Sequence, residues 1–164
     1  MSIFEPSEIF QFAIRIEENG EKFYRRMAQK FDDPEVGGLF SALADEEIKH
    51  KSVYEKMVSK IEKYEPFESY PGEYFEYLRA YADTHIFTPK KLEEEMATIN
   101  DATSALKFAI ARELDSILYY EEIKKLVPQS ERGLIDKIIE EEHRHFVKLS
   151  SCKASKDAAC VRKE

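Results

Sequence analysis

Leu43-Ala44-Asp45-Glu46-Glu47-Ile48-Lys49-His50 and Ile138-Ile139-Glu140-Glu141-Glu142-His143-Arg144-His145 carry one pattern twice. In each, an apolar residue is followed one turn on by a glutamate, and that glutamate one turn on by a histidine. Spacings of three and four fall on one face of a helix, so each stretch sets a carboxylate and an imidazole into an otherwise apolar stripe. The segment before each stretch repeats too. Ala13-Ile14-Arg15-Ile16-Glu17, with Tyr24 two turns beyond the glutamate, matches Ala109-Ile110-Ala111-Arg112-Glu113, with Tyr120 two turns beyond. Two copies of a helix pair imply a pseudo-twofold axis, and a site on that axis would draw on both halves.

Working outward, the first helix is predicted from Pro6, a residue suited to a first helical turn, to about Lys30. Its inward stripe is Phe10, Ala13, Ile14, Glu17, Gly20, Tyr24 and Met27. The second opens at Asp33-Pro34, an N-cap followed by Pro, and runs to roughly Lys63. Its inward stripe holds Phe40, Leu43, Glu47, His50, Tyr54 and Met57. Pro66 and Pro71-Gly72 break the chain, a short helix follows from Glu73 to about His85, and Pro89 with the polar Lys90–Asp101 stretch completes a long connection. A third long helix is expected from near Asp101 to Val127, stopped by Pro128, and a fourth from near Ser130 to about Ser150. The fourth has Leu134, Ile135, Ile138, Glu142, His145 and Leu149 inward. The expected organisation is an all-α four-helix bundle over residues 1–150, with one long crossover between the second and third long helices, and a flexible polar tail over 151–164.

A carboxylate inside a bundle is costly unless it is paired or bound to a metal. Glu17, Glu47, Glu113 and Glu142 all lie on apolar stripes, and His50 and His145 share two of them. Four carboxylates carry about −4, and two divalent cations would cancel that charge while neutral imidazoles add nothing. Oxygen ligands mixed with imidazole suit iron or manganese, whereas a structural zinc site more usually takes thiolates. The six candidate metal ligands are therefore Glu17, Glu47, His50, Glu113, Glu142 and His145.

Glu17 followed by Phe23-Tyr24, Glu47-x-x-His50, Glu113 followed by Tyr119-Tyr120, and Glu142-x-x-His145 resemble the rubrerythrin-type branch of the ferritin-like di-iron carboxylate proteins, over roughly residues 5–150. The resemblance implies a ferritin-like bundle holding two iron ions, with manganese or zinc as possible substitutes. It also implies reduction of hydrogen peroxide or oxygen, or the oxidation of iron for storage or transfer. The expected partners are that small-molecule oxidant, an external electron donor and a second copy of the chain in a homodimer. Two features depart from the family pattern. Long rubrerythrins end in a rubredoxin domain with paired Cys-x-x-Cys motifs, and this sequence has only Cys152 and Cys160. Rubrerythrins also carry an extra carboxylate one turn beyond the third-helix ligand, where Ser116 stands.

Other residues have plainer expectations. Tyr24 and Tyr120 could either pack or orient a ligand carboxylate from a neighbouring helix, whereas Tyr54 is expected to pack. Glu18, Glu46, Glu141 and His143 are expected on solvated faces, His85 as structural, and Cys152 and Cys160 reduced. A net charge of −8 disfavours nucleic acid and anionic membrane surfaces. No stretch approaches the roughly 20 apolar residues of a membrane span, and Met1–Phe12 lacks the basic start and apolar run of a secretory signal, so the expected location is cytoplasmic.

Overall fold

The fold was obtained as a computed structural model that describes residues 6–60 and 72–161. Helix α1 spans Pro6–Lys30, α2 Pro34–Val58, α3 Gly72–His85, α4 Pro89–Thr98, α5 Ala102–Ile123 and α6 Gln129–Val161. A single 3-10 turn, Lys124–Leu126, closes α5. No strand occurs among the described residues. The starts follow local chemistry. Asp33 caps α2 by accepting from the Glu35 and Val36 amides, and Asp101 caps α5 by accepting from Ser104 N at 2.8 Å.

Contacts between the long helices fix their directions. Arg25 pairs with Asp45 and Lys51 with Glu18, so α1 and α2 are antiparallel. Lys60 with Glu131 and Lys156 with Asp33 make α2 and α6 antiparallel, while Lys124 with Asp136 joins α5 to α6. The crossover covers the groove between α1 and α5. Tyr74 and Tyr81 of α3 donate to the Glu122 and Asp115 carbonyls of α5, and Glu93 of α4 takes Lys22 and Arg26 of α1. This is the ferritin-like, single-crossover bundle. Its core divides in two. One apolar cluster gathers Phe10, Tyr54, Met57, Tyr119 and Ile135, the other Phe23, Met27, Phe40, Leu106 and Leu149. Glu17, Glu47, Glu113 and Glu142 lie between them along their helices.

Four local expectations need correction. Helix α2 ends at Val58 rather than Lys63, because Ser59 and Lys60 turn back onto Glu55, Met57 and Lys56. The expected breaks at Pro66 and Pro71 lie outside the described residues. The polar stretch after Thr88 is a helix: Thr88 caps it, Pro89 fills its first position, and Leu92 and Met96 bury one turn apart. Leu134 is exposed, since Ile135, Ile138 and Ile139 supply the inward stripe. Finally, residues 151–161 are not a loose tail but the last turns of α6. Cys152 extends the stripe of Leu149 into the core, and Lys156 clasps Asp33 at 2.9 Å and Glu35 at 2.7 Å beside the α2 N-terminus. Lys, Ala and Ser give that segment enough helix propensity once two contacts anchor it.

Candidate metal centre

Glu17 on α1, Glu47 and His50 on α2, Glu113 on α5, and Glu142 and His145 on α6 are all buried, none more than 4% exposed. They converge as two overlapping groups, Glu17–Glu47–His50–Glu142 and Glu47–Glu113–Glu142–His145, with ligand atoms inside each group within 4.8 Å of one another. Glu47 and Glu142 belong to both. Glu142 turns Oε1 to His50 Nδ1 and Oε2 to His145 Nδ1, each at 3.0 Å. Glu47 does the same more loosely, with Oε2 3.9 Å from His50 Nδ1 and Oε1 3.5 Å from His145 Nδ1. Glu17 Oε2 lies 3.5 Å from His50 Nδ1 and Glu113 Oε2 lies 3.7 Å from His145 Nδ1. The sequence left open which glutamates are shared; in the structure Glu47 and Glu142 are the two that face both histidines.

Each end group is held from a neighbouring helix. The Tyr24 hydroxyl of α1 donates to Glu113 Oε1 of α5, and the Tyr120 hydroxyl of α5 donates to Glu17 Oε1 of α1. This reciprocal exchange makes α1 and α5 antiparallel. Of the two roles open to these tyrosines, carboxylate orientation is present in both. Burial first, then Glu113 beside Tyr24 and Glu17 beside Tyr120, push both phenols well above their ordinary value, so they stay protonated donors. Tyr54 packs on Tyr120 with ring centroids 5.1 Å apart, and its hydroxyl has no hydrogen-bond partner among the described residues.

The histidines are held differently, and here the sequence expectation fails. Glu46 and Glu141 were expected to be solvated. Instead His50 Nε2 lies 2.7 Å from Glu141 Oε2, and His145 Nε2 lies 2.5 Å from Glu46 Oε2. Each carboxylate reaches across from the opposite helix and fixes the outer nitrogen of an imidazole, which turns Nδ1 inward. The signal was in the sequence: both halves read Glu-Glu-x-x-His, and antiparallel α2 and α6 bring the first glutamate of each beside the histidine of the other. Glu18 stays exposed, pairing with Lys51, and His143 is exposed and outside the cluster. Cys152 and Cys160 are free thiols, one buried and one exposed, and neither joins the site.

Without a cation the cluster balances its charge with protons. Burial opposes charge on His50 and His145, but Glu142 with Glu17 beside the first, and Glu113 with Glu142 beside the second, outweigh it; His50 is pushed up to about 12 and His145 rises as well. Burial together with the other carboxylates raises Glu47 and Glu113 well above the carboxylate range. Burial also opposes charge on Glu142, yet the His145 and His50 imidazoles, each 3.0 Å away, hold it below that range. Even so, Glu17 Oε2, Glu142 Oε2, His50 Nδ1 and His145 Nδ1 are buried with no hydrogen-bond partner among the described residues. A buried orphan of this kind costs about 1–3 kcal/mol. The residues present fit a two-cation centre.

The family model described as Rubrerythrin matches residues 8–153. Comparisons with curated proteins and with solved structures found no match. With that match reaching into all four long helices and covering all six converging side chains, the chain belongs to the rubrerythrin family.

Proposed function

We propose that this protein is a di-iron oxidoreductase of rubrerythrin type, reducing hydrogen peroxide or oxygen with electrons from a separate donor. The observation that carries the reading is the pair of overlapping ligand groups sharing Glu47 and Glu142. A di-iron pair held by these residues would supply two-electron redox chemistry, by which peroxide with two electrons from the donor and two protons would yield two waters. Glu17 and His50 would complete one metal position, and Glu113 and His145 the other. Glu46 and Glu141 hold the imidazoles in place, Tyr120 and Tyr24 hold the terminal carboxylates, and the apolar clusters above and below exclude bulk water. With Ser116 where the family's extra carboxylate stands, the two positions have matched ligand sets: one terminal glutamate, one histidine and two shared glutamates each. Iron is the metal the family supplies; manganese or zinc could occupy the same donors. The acidic surface suits neither nucleic acid nor anionic membrane, and no helix among the described residues is long and apolar enough to cross a membrane.

Metal analysis of protein purified without added metal, followed by stopped-flow oxidation of the di-ferrous protein, tests the assignment. Two irons per chain and faster oxidation by peroxide than by oxygen are expected, with sustained turnover only when a reductant is supplied. Faster reaction with oxygen, with ferric iron accumulating beyond two per chain, would move the protein to iron handling. Two metals bound without any redox turnover would leave a metal-stabilised bundle.

A further inference from the structure

Every described tyrosine except Tyr24 belongs to one connected stack. Beside the metal centre, the Tyr120 hydroxyl donates to Glu17 Oε1, and the Tyr120 ring meets that of Tyr54 at 5.1 Å between centroids. Outward, Tyr120 meets Tyr119 edge-on at 6.3 Å, and Tyr119 stacks on Tyr81 of α3 at 6.0 Å. Tyr81 then leads to Tyr77 at 6.4 Å, and Tyr74 lies a further 6.4 Å from Tyr77. These are the spacings of aromatic rings in contact. The stack begins at the fully buried Tyr54 and Tyr120 and reaches the surface at Tyr77, which is 45% exposed.

The other half of the bundle supplies a comparison. Phe23-Tyr24 is the counterpart of Tyr119-Tyr120, and Tyr24 donates to Glu113 as Tyr120 does to Glu17. Beyond Tyr24, however, the rings are phenylalanines: Phe23 at 5.5 Å, then Phe108 at 4.8 Å from Phe23, then Phe87 at 6.0 Å from Phe108. Phenylalanine meets the needs of packing, whereas each buried phenol also requires an acceptor. Tyr119 takes the Ile9 carbonyl at 2.9 Å and Tyr81 the Asp115 carbonyl at 2.7 Å. What a phenol adds is redox chemistry, because it can lose an electron together with its hydroxyl proton and a phenylalanine ring has no such proton. A peptide carbonyl is too weak a base to take that proton, so Tyr119 and Tyr81 can pass an electron without staying oxidised. The two ends differ: Tyr120 faces a carboxylate and Tyr77 faces water.

We propose that Tyr120, Tyr119, Tyr81 and Tyr77 form a one-electron relay between the metal centre and the surface, with Tyr77 as its outer redox terminus. The inference rests on the di-metal reading above. Peroxide needs two electrons, and a donor that has delivered only one leaves the reduction unfinished inside the core. The relay draws the second electron from Tyr77. In balance, one peroxide, one donor electron, one proton and the Tyr77 phenol give two waters and the Tyr77 phenoxyl radical. Ascorbate in solution then returns a hydrogen atom to Tyr77 and leaves as the ascorbyl radical. The oxidising equivalent is thereby spent at the surface rather than on the buried ligands.

A radical sink at the inner end tests the relay in the metal-free full chain. With 3-aminotyrosine, which is more easily oxidised than tyrosine, in place of Tyr120, a ruthenium tris-bipyridine photo-oxidant in solution reaches Tyr77 but not the buried ring. Electron paramagnetic resonance of frozen samples should then show the aminotyrosyl radical, and Tyr81→Phe should abolish it. No buried radical, or one that survives Tyr81→Phe, overturns the relay. If that chain does not fold, 3-aminotyrosine in place of Tyr119 is read against the same Tyr81→Phe block. The link to the metal centre is read separately. In the iron-loaded chain holding one donor electron per iron pair, peroxide should leave a spin-trap adduct on Tyr77, located by peptide mass spectrometry, and Tyr81→Phe should remove it at unchanged iron content. No adduct in the wild type, or an adduct that survives Tyr81→Phe, overturns that link. A chain that binds no iron fails the di-metal reading, and the aminotyrosine radical still decides the relay.

Discussion

Apart from Glu47 and Glu142, which both groups share, the two faces of the candidate metal centre each present two side chains, histidines on one and glutamates on the other, and hold them by different means. On the α2–α6 face each imidazole is fixed by a carboxylate from the opposite helix, at 2.7 Å for Glu141 and 2.5 Å for Glu46. On the α1–α5 face each terminal carboxylate is held by one phenol at one oxygen, and small residues leave the other side open. A charged hydrogen bond is roughly twice as strong as a neutral one, and an imidazole pinned at Nε2 has a single orientation for Nδ1. A carboxylate bonded once can still rotate about its last torsion. The histidine face is therefore the rigid anchor and the tyrosine face the adaptable one.

The largest effect should come from removing the anchor. A His50→Ala, His145→Ala double change takes the only nitrogen donor from each metal position, and metal binding and redox turnover should both vanish; retained turnover would place the chemistry elsewhere. A smaller loss should follow when the anchor is only loosened. Glu141→Gln with Glu46→Gln keeps the hydrogen-bond reach but removes the charge, and metal affinity measured by competition with a chelator should fall by roughly 10–100-fold. An unchanged affinity would show that these carboxylates are incidental surface partners.

Loading should also move protons, which separates a proton-balanced empty site from a merely repulsive one. His50 and His145 are held protonated by the surrounding glutamates, and burial with neighbouring carboxylates raises Glu47 and Glu113. All four groups have folded values above their ordinary ones, about 6.5 for His and 4.3 for Glu, so the empty folded chain binds more protons than the unfolded chain above those values. Its stability should then fall as pH rises from about 5 to 8, histidines and glutamates acting in the same direction. Metal binding expels those protons and strengthens over the same range, so the gain in melting temperature on adding metal should be larger at pH 8 than at pH 6. Between about two and about four protons should be released at pH 6, two from the imidazoles and the rest from Glu47 and Glu113. Calorimetry in buffers of different ionisation enthalpy counts them, and a count near zero would contradict the protonated empty site.

Much of this site was legible in the chain because its ligands obey the helix period. Glu17, Glu47, Glu113 and Glu142 sit on stripes whose other members are apolar, and a carboxylate in such a stripe must go inward with them. What escaped the sequence depended on which helix faces which. Glu46 and Glu141 lie one residue off the buried stripe, about 100° around the helix, and only the antiparallel approach of α2 and α6 brings them to the histidines. Sharing of Glu47 and Glu142 needs the same knowledge of neighbours. The end of α6 was missed for another reason: its apolar period thins to Cys152, and the Lys156 clasp to Asp33 and Glu35 is a contact between distant parts of the chain. Helix α4, by contrast, was readable from Thr88-Pro89 and the Leu92–Met96 pair, and was hidden only by its charged outer face.

The smallest expected effect sharpens the contrast between the faces. Tyr24→Phe and Tyr120→Phe each remove one phenolic donor and leave a buried carboxylate oxygen, Glu113 Oε1 or Glu17 Oε1, without its partner. In the empty protein each change should cost about 1–3 kcal/mol, since an unsatisfied buried acceptor loses more than the bond was worth. At this chain length that corresponds to a fall in melting temperature of roughly 2–4 °C for each kcal/mol. In the loaded protein a cation would still orient the terminal carboxylate through its other oxygen, so metal affinity should change by less than in the Glu141→Gln, Glu46→Gln protein. The pseudo-twofold arrangement further requires that the two single tyrosine changes match each other, because each phenol spans α1 and α5 in the same sense. Chelator competition and thermal melts on both variants measure the two quantities together. A Tyr24→Phe protein that lost as much metal affinity as the glutamine double variant would abolish the distinction between anchor and adaptable face. Unequal losses for Tyr24→Phe and Tyr120→Phe would instead mark one metal position as the weaker, and Ser116, beside Glu113 and without a counterpart side chain at Gly20, would be the residue to which that asymmetry is traced.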